Sequence, residues 1–286
     1  MDVSQSVESR VLVRPDARIA YRVAGDGPLV VAVPGMGDLA SSYRDLASDL
    51  IAAGYRVAVT ELRGHGASSA DVAEQGDEAT AGDIIALIDE LGSPAVVIAN
   101  SMGAAAAVLA AADRPELVRG LVLVGPVLRD AEGSAFAAAM TKLLLRVVLA
   151  RPWGARLWSS MYRSYFHRGR AAAWRDAHAD AIRASLDADH LRSFRALTQV
   201  LTHRAVTPRL SDVTVPALIV VGSLDPDYAD PVAELEWMSA RLPGRAELVE
   251  GVAHYPHVQA PELVTPWTLE YLASRRSDEN WVGANA

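Results

Sequence analysis

The sequence predicts an α/β protein: a mostly parallel, twisted sheet with helices on both faces and one inserted helical segment. Three observations carry that reading. Short, continuously apolar runs such as Leu29–Val33 suit strands buried on both faces. These runs alternate with stretches of helical spacing, the order that builds a parallel sheet. The alternation stops at Pro126 and resumes at Ala217, with an arginine-rich helical stretch between.

Taken in order, Arg10–Pro15 and Ile19–Ala24 alternate as an opening hairpin, and Leu29–Val33 is the first buried strand. Tyr43–Ala53 follows as a helix closed by Gly54, then Val57–Thr60 as a strand. Asp83–Leu91 reads as a helix ending at Gly92, with Ile84, Leu87, Ile88 and Leu91 on one face. An apolar strand from Val96, an alanine-rich helix to about Asp113 and the strand Leu121–Val124 complete the first half. After the interruption come strand Ala217–Val221, helix Pro231–Leu242, strand Glu247–Val249 and helix Pro261–Ser274. Pro266 lies inside that last helix and predicts a kink or a restart there. The tail after Arg275 is polar and reads as frayed.

Residues 1–126 and 207–286 therefore form the core, and 127–206 the helical insertion. Charge agrees with this division. Residues 129–205 hold 13 basic and 6 acidic residues, a local charge of +7, whereas the other 14 basic and 29 acidic residues leave −15. The chain's net charge of −8 argues against a nucleic-acid partner. Over 286 residues, 51% are apolar and 22% charged, enough for a full core. No apolar run is long enough to span a bilayer, so no membrane partner is expected. Met1–Glu8 lacks a basic start and an apolar stretch, so a secretory signal is not expected and a cytoplasmic protein is. With no cysteine, disulfides, thiolate chemistry and Cys-type zinc sites are excluded.

The chemistry-bearing motif is Val96-Val97-Ile98-Ala99-Asn100-Ser101-Met102-Gly103. An apolar strand runs straight into a serine and on into a helix, the context of a nucleophile elbow. Residues two before and two after such a serine must be small, because strand and helix backbones nearly touch; here they are Ala99 and Gly103. Two partners follow in chain order. Asp225 comes off the end of the strand Ala217–Val221, and His254 off the end of Glu247–Val249. Both thus fall at the C-terminal edge of the sheet, where ligands of open α/β sheets gather. Asp227 and Asp230 compete with Asp225 for the acid, and His257 competes with His254 for the base. His65 sits in a glycine-flanked turn and reads as structural or pocket-lining; Asp38 reads as a cap or turn residue. His167, His178, His190 and His203 share no ligand spacing, so no metal site is expected. No glycine loop of the dinucleotide or Walker type is present, so no cofactor is expected either.

The order Ser101…Asp225…His254 resembles that of the α/β-hydrolase superfamily, and the likeness runs from the opening hairpin to the last helix. Leu62-Arg63-Gly64-His65-Gly66 resembles the family's turn after the fourth strand, and Gly251-Val252-Ala253-His254 its histidine loop. The resemblance implies an α/β-hydrolase fold with residues 127–206 as a helical cap over the site. It also implies an oxyanion hole made by the backbone N–H groups of Met36 and Met102. Pro34 stands where many relatives carry histidine, so the support of the loop Val33-Pro34-Gly35-Met36-Gly37 must differ. Haloalkane dehalogenases and soluble epoxide hydrolases of this fold use an aspartate nucleophile, and Ser101 occupies that position. The leading expectation is a serine hydrolase acting on a carboxylic ester, thioester or lactone of a small molecule. A carbon–carbon bond hydrolase, a cofactor-free lyase and a small-molecule receptor with little turnover are the alternatives. The cap's aromatic residues suit a pocket lining or the cap's own core, and its arginines an anionic substrate, a solvated face or partners for the acidic core domain. Oligomeric state is left open.

Overall fold

The structure is a computed structural model that describes residues 7–276 apart from Ser93 and Glu132. Met1–Ser6, within the stretch that argued against a secretory signal, and the polar tail from residue 277 lie outside the described residues. One eight-stranded sheet runs through the molecule: β1 (Glu8–Val13), β2 (Arg18–Ala24), β3 (Leu29–Val33), β4 (Arg56–Thr60), β5 (Ala95–Ser101), β6 (Val118–Pro126), β7 (Ala217–Gly222) and β8 (Gly244–Val249). Their spatial order is β1-β2-β4-β3-β5-β6-β7-β8. β1 and β2 pair antiparallel, as does β2 with β4, and every later pairing is parallel.

Strand alternation gives each sheet face its own core. Val30, Ala32, Val96, Ile98, Val122, Val124, Leu218 and Val220 face one side, which α1 (Arg44–Ala52) and α10 (Pro261–Arg276) cover with Leu46, Leu50, Val264 and Leu272. Leu29, Val31, Val33, Val97, Ala99, Leu121, Leu123, Ile219 and Val221 face the other, under α2 (Asp77–Leu91), α3 (Met102–Asp113) and α8 (Pro231–Ser239). Burial on both sides is why these strands read as unbroken apolar runs. Ala104 to Ala107 are each fully buried in α3, which packs against both α2 and the sheet. Methyl side chains let those backbones come close.

The elements fall where the sequence placed them, with shifted ends. α2 begins at Asp77, six residues before the expected Asp83, and α8 stops at Ser239 rather than Leu242. α10 runs through Pro266 as one helix, so the expected restart does not occur. A short helix, α9 (Pro256–Gln259), was not foreseen. Between β6 and β7 lie α4 (Ala135–Val148), α5 (Gly154–Ser164), α6 (Arg175–Ser185) and α7 (Ala188–Val200).

Candidate active site

Ser101 ends β5, and α3 starts at the next residue. Its φ of 53° and ψ of −122° make it the only non-glycine with positive φ among the described residues. Such a conformation costs on the order of 1–3 kcal/mol and persists only where the surroundings impose it. The surroundings do. A Cβ on Gly103 would lie 2.6 Å from Pro34 O, and one on Gly35 would lie 2.9 Å from the Ser101 Cβ. Gly103→Ala is therefore expected to lower the melting temperature by several degrees, read by calorimetry, because the Val33–Pro34 backbone must give way. Ser101 Oγ has no hydrogen-bond partner among the described residues.

Asp225 and His254 meet at the same sheet edge. His254 Nδ1 lies 3.0 and 2.9 Å from the two Asp225 carboxylate oxygens, and both side chains are almost fully buried. The Asp227 N–H donates to Asp225 at 3.0 Å, while the Asp227 carboxylate stands 3.5 Å from His254 Nδ1 and is 29% exposed. The competing Asp230 is occupied as the N-cap of α8, accepting from Val232 and Ala233 at 3.0 Å. His257 lies buried in α9, stacked on Tyr43 at 4.9 Å between ring centroids, with no acid paired to it among the described residues. Asn100 ties the two halves together: its Nδ2 donates to His254 O at 3.2 Å and to Val124 O at 2.8 Å. Burial pulls the His254 imidazole down, but the charges of Asp225 and Asp227, the bond to Asp225 and the more distant Asp38 outweigh it, holding His254 at about 9. Ligand atoms of Asp225, Asp227 and His254 lie within 4.8 Å of one another, with His254 Nδ1 already at hydrogen-bond distance from both Asp225 oxygens.

The loop after β3 is fixed from both sides. Asp38 N–H donates to Gly35 O at 3.2 Å, closing a turn whose third residue, Gly37, has the positive φ (76°) that favours glycine. Gly37 N–H donates to His65 Nε2 at 2.9 Å, and Gly37 O accepts the Trp158 indole N–H at 2.8 Å. His65 Nδ1–H in turn donates to Arg63 O at 2.8 Å, and burial holds the imidazole down to about 4, neutral in a single tautomer. The Met36 N–H, one peptide earlier, has no acceptor among the described residues. Met102 opens α3, where backbone N–H groups have no acceptor within the helix.

Helices α5 to α7 pack over this edge. Trp158 reaches Gly37, the Tyr165 ring lies 5.2 Å from that of His254, and Phe194 meets His65 edge-on at 5.4 Å. Trp158, Tyr162 and Phe166 are buried, packed both within the insertion and on the sheet domain: Trp158 meets Phe194 at 4.7 Å between ring centroids, and Phe166 stacks on Tyr255 at 4.8 Å. Two histidines read as surface or packing residues prove to be long-range ties: His178 bonds Asp38 and His203 bonds Asp77, each at 2.7 Å and buried. Arg129 and Arg170 pair with Glu234 and Glu262 of the acidic core, while Arg163, Arg175, Arg183 and Arg192 pair within the insertion.

Beneath the same loop, Glu61 accepts from Ala40 N–H at 3.0 Å. Burial pushes its carboxyl up to about 7; Asp38 adds to the rise, and the Ala40 bond and Arg22 oppose it. A carboxyl raised by folding loses stability as pH climbs from its unfolded value near 4.5 to about 7, and the loss then stays constant. Glu61→Gln keeps the acceptor without the charge. It is expected to raise the melting temperature by on the order of 2–4 °C at pH 8 and to leave it unchanged at pH 4, by calorimetry.

The strand order, the elbow and the inserted helices define an α/β-hydrolase. The chain belongs to the family described as serine aminopeptidase, S33, which it matches over residues 27–257. It is 35% identical over 115 residues to a 2-hydroxy-6-oxo-6-phenylhexa-2,4-dienoate hydrolase of Burkholderia cepacia, covering 38% of this chain and 40% of that one. It is 34% identical over 116 residues to an epoxide hydrolase of Caballeronia sordidicola, covering 39% and 35%. The chain thus spans about two fifths or less of the length of these curated relatives. A thermophilic esterase from Thermogutta terrifontis superposes with a TM-score of 0.75 at 22% identity, over 94% of this chain and 99% of that one. No described helix is long and apolar enough to cross a membrane.

Proposed function

We propose that the protein is a serine hydrolase that cleaves a carboxylic ester, thioester or lactone through an acyl-enzyme. The observation that carries this reading is the imposed positive φ of Ser101 at the strand–helix turn, which lifts one hydroxyl clear of competing bonds. Ser101 is the nucleophile, His254 the base and Asp225 the acid that orients it. Residues 1–126 and 207–286 serve as the hydrolase core and 127–206 as its cap. The family resemblance supports an enzyme that needs no cofactor.

In the acylation step Ser101 Oγ attacks the carbonyl carbon while its proton passes to His254 Nε2. The carbonyl electron pair moves onto oxygen, where the N–H groups of Met36 and Met102 receive it, each worth roughly 3 kcal/mol. The pair returns as the bond to the alcohol oxygen or thiol sulfur breaks, and His254 delivers the proton to that leaving atom. Water then repeats the sequence on the acyl-enzyme, releasing the acid and free Ser101. Asp225 holds the Nδ1 proton in place and stabilises the imidazolium that forms.

The base works only when neutral, so an imidazole held at about 9 sets a rising pH limb. The expected profile of kcat/KM rises to about pH 9 and levels above it. Asp227→Asn removes one of the charges that raise His254, so its limb is expected to move down by on the order of one unit. Stability has the opposite slope. A histidine raised by folding contributes fully below about 6.5, and that contribution is lost as pH rises through about 9.

The test is fluorophosphonate labelling read by intact mass on wild type and Ser101→Ala, with hydrolysis of short nitrophenyl esters in parallel. One label per wild-type chain, none on the variant and measurable turnover support the proposal. A folded wild type that takes no label overturns it and favours a receptor. A carbon–carbon bond hydrolase on the same residues is the second reading, supported by the 35% identity to the dienoate hydrolase. Labelling without ester turnover, together with cleavage of a vinylogous diketone, would select it.

A further inference from the structure

Helix α4 turns its apolar side outward. Phe136, Met140, Leu143, Leu144 and Val147 are 74, 47, 52, 61 and 54% exposed. At about 100° per residue these five fall within an arc of about 100°, one continuous stripe along the helix. The opposite side does the packing. There Leu149 is buried, and Lys142 Nζ donates to Gln199 O at 2.8 Å while Gln199 Nε2 donates back to Lys142 O at 3.0 Å, fastening α4 to α7. The stripe continues past the helix end into Trp153, 45% exposed, whose indole N–H donates to Val147 O at 3.0 Å. Leu157, at 42%, extends it into α5. A helix that only sealed the insertion's own core would turn these side chains inward, and contiguous apolar exposure marks an interaction surface.

Charge decides what covers it. The segment carrying the stripe has a local charge of +7 against −15 for the rest of the chain. Arg146, beside Val147, Arg151, just beyond the helix, and Arg156, beside Leu157, are exposed and form no ion pair with a described residue. A second copy meeting this face would set two basic segments against each other. An anionic lipid surface matches both features: the apolar stripe enters the acyl boundary, the guanidinium groups meet phosphates, and Trp153 sits at the interface.

We propose that α4 and the start of α5 form a docking surface for an anionic lipid bilayer, adsorbing in its plane without spanning it. The expectation of no membrane partner rested on the lack of a spanning run, which bears on insertion and not on adsorption. Helix α5 leads from this surface to Trp158 at the Gly37 loop, so a docked molecule holds its Ser101 edge next to the lipid. The inference stands on the surface alone and is independent of the hydrolase reading.

Cosedimentation of the full chain with vesicles tests it, comparing equimolar phosphatidylglycerol and phosphatidylcholine with phosphatidylcholine alone. Binding is expected to be on the order of tenfold or more tighter on the anionic vesicles and to weaken in high salt. The double variant Phe136→Ser/Leu144→Ser, with an unchanged melting temperature, is expected to bind about tenfold or more weakly. Arg146→Glu/Arg151→Glu/Arg156→Glu keeps the stripe and is expected to lose the preference for anionic vesicles. No cosedimentation, or equal binding by wild type and both variants, overturns the proposal. So does a concentration-dependent dimer in ultracentrifugation that the serine variant abolishes, which would assign the stripe to a second copy.

Discussion

Asp225→Asn is expected to lower kcat by about 10⁴-fold while leaving the fold intact. Both Asp225 oxygens lie within 3.0 Å of His254 Nδ1, so the carboxylate accepts the proton there and, in the mechanism proposed above, leaves Nε2 free to accept from Ser101. An amide at this position presents an NH₂ to Nδ1, which moves the ring proton to Nε2. A ring protonated there cannot take the serine proton. Asp227→Asn should behave differently, with kcat at high pH within a few-fold of wild type. Its carboxylate is 3.5 Å away and partly exposed, so it acts on the imidazole as a charge and not as a bonded partner. Steady-state kinetics at high pH with a melting curve for each variant decide the matter. A large loss in Asp227→Asn with little in Asp225→Asn would exchange the two roles.

That contest between two nearby aspartates was open in the sequence because a strand end fixes a neighbourhood and not a bond. Local features were legible. The elbow at Ser101 is encoded by its immediate neighbours, and the wound sheet by apolar runs whose two faces are both covered. Features made by distant pairs were not. α2 begins before its first apolar turn, where Asp77 bonds His203, 126 residues away. His178 and His203 carry no spacing that marks them as partners of Asp38 and Asp77. Periodicity identified a helical insertion yet said nothing of which side α4 turns to solvent. The Pro34 departure said only that another support for the oxyanion loop had to exist. The structure shows Gly37 held by His65 and Trp158, and no sequence signal joined these two residues to Gly37 beyond the glycines that flank His65.

His65→Ala is the test of that support, with an expected fall in kcat of about 10- to 100-fold and little change in KM. The variant leaves the Gly37 N–H buried without an acceptor, a loss of about 1–3 kcal/mol. The adjacent Met36 N–H then no longer holds one direction, and an oxyanion donor acts only if it is aimed before charge develops. Substrate in its ground state depends less on that aim, which is why the loss falls on kcat. His65→Gln offers an acceptor from a side chain of similar reach and is expected to recover part of the rate. The pH limb separates this role from a catalytic one. An imidazole held at about 4 is already neutral wherever His254 titrates, so neither His65 variant is expected to move the limb at about pH 9. A shifted limb would make His65 a participant in proton transfer. An unshifted limb with a reduced plateau would make it the post against which the oxyanion loop is held.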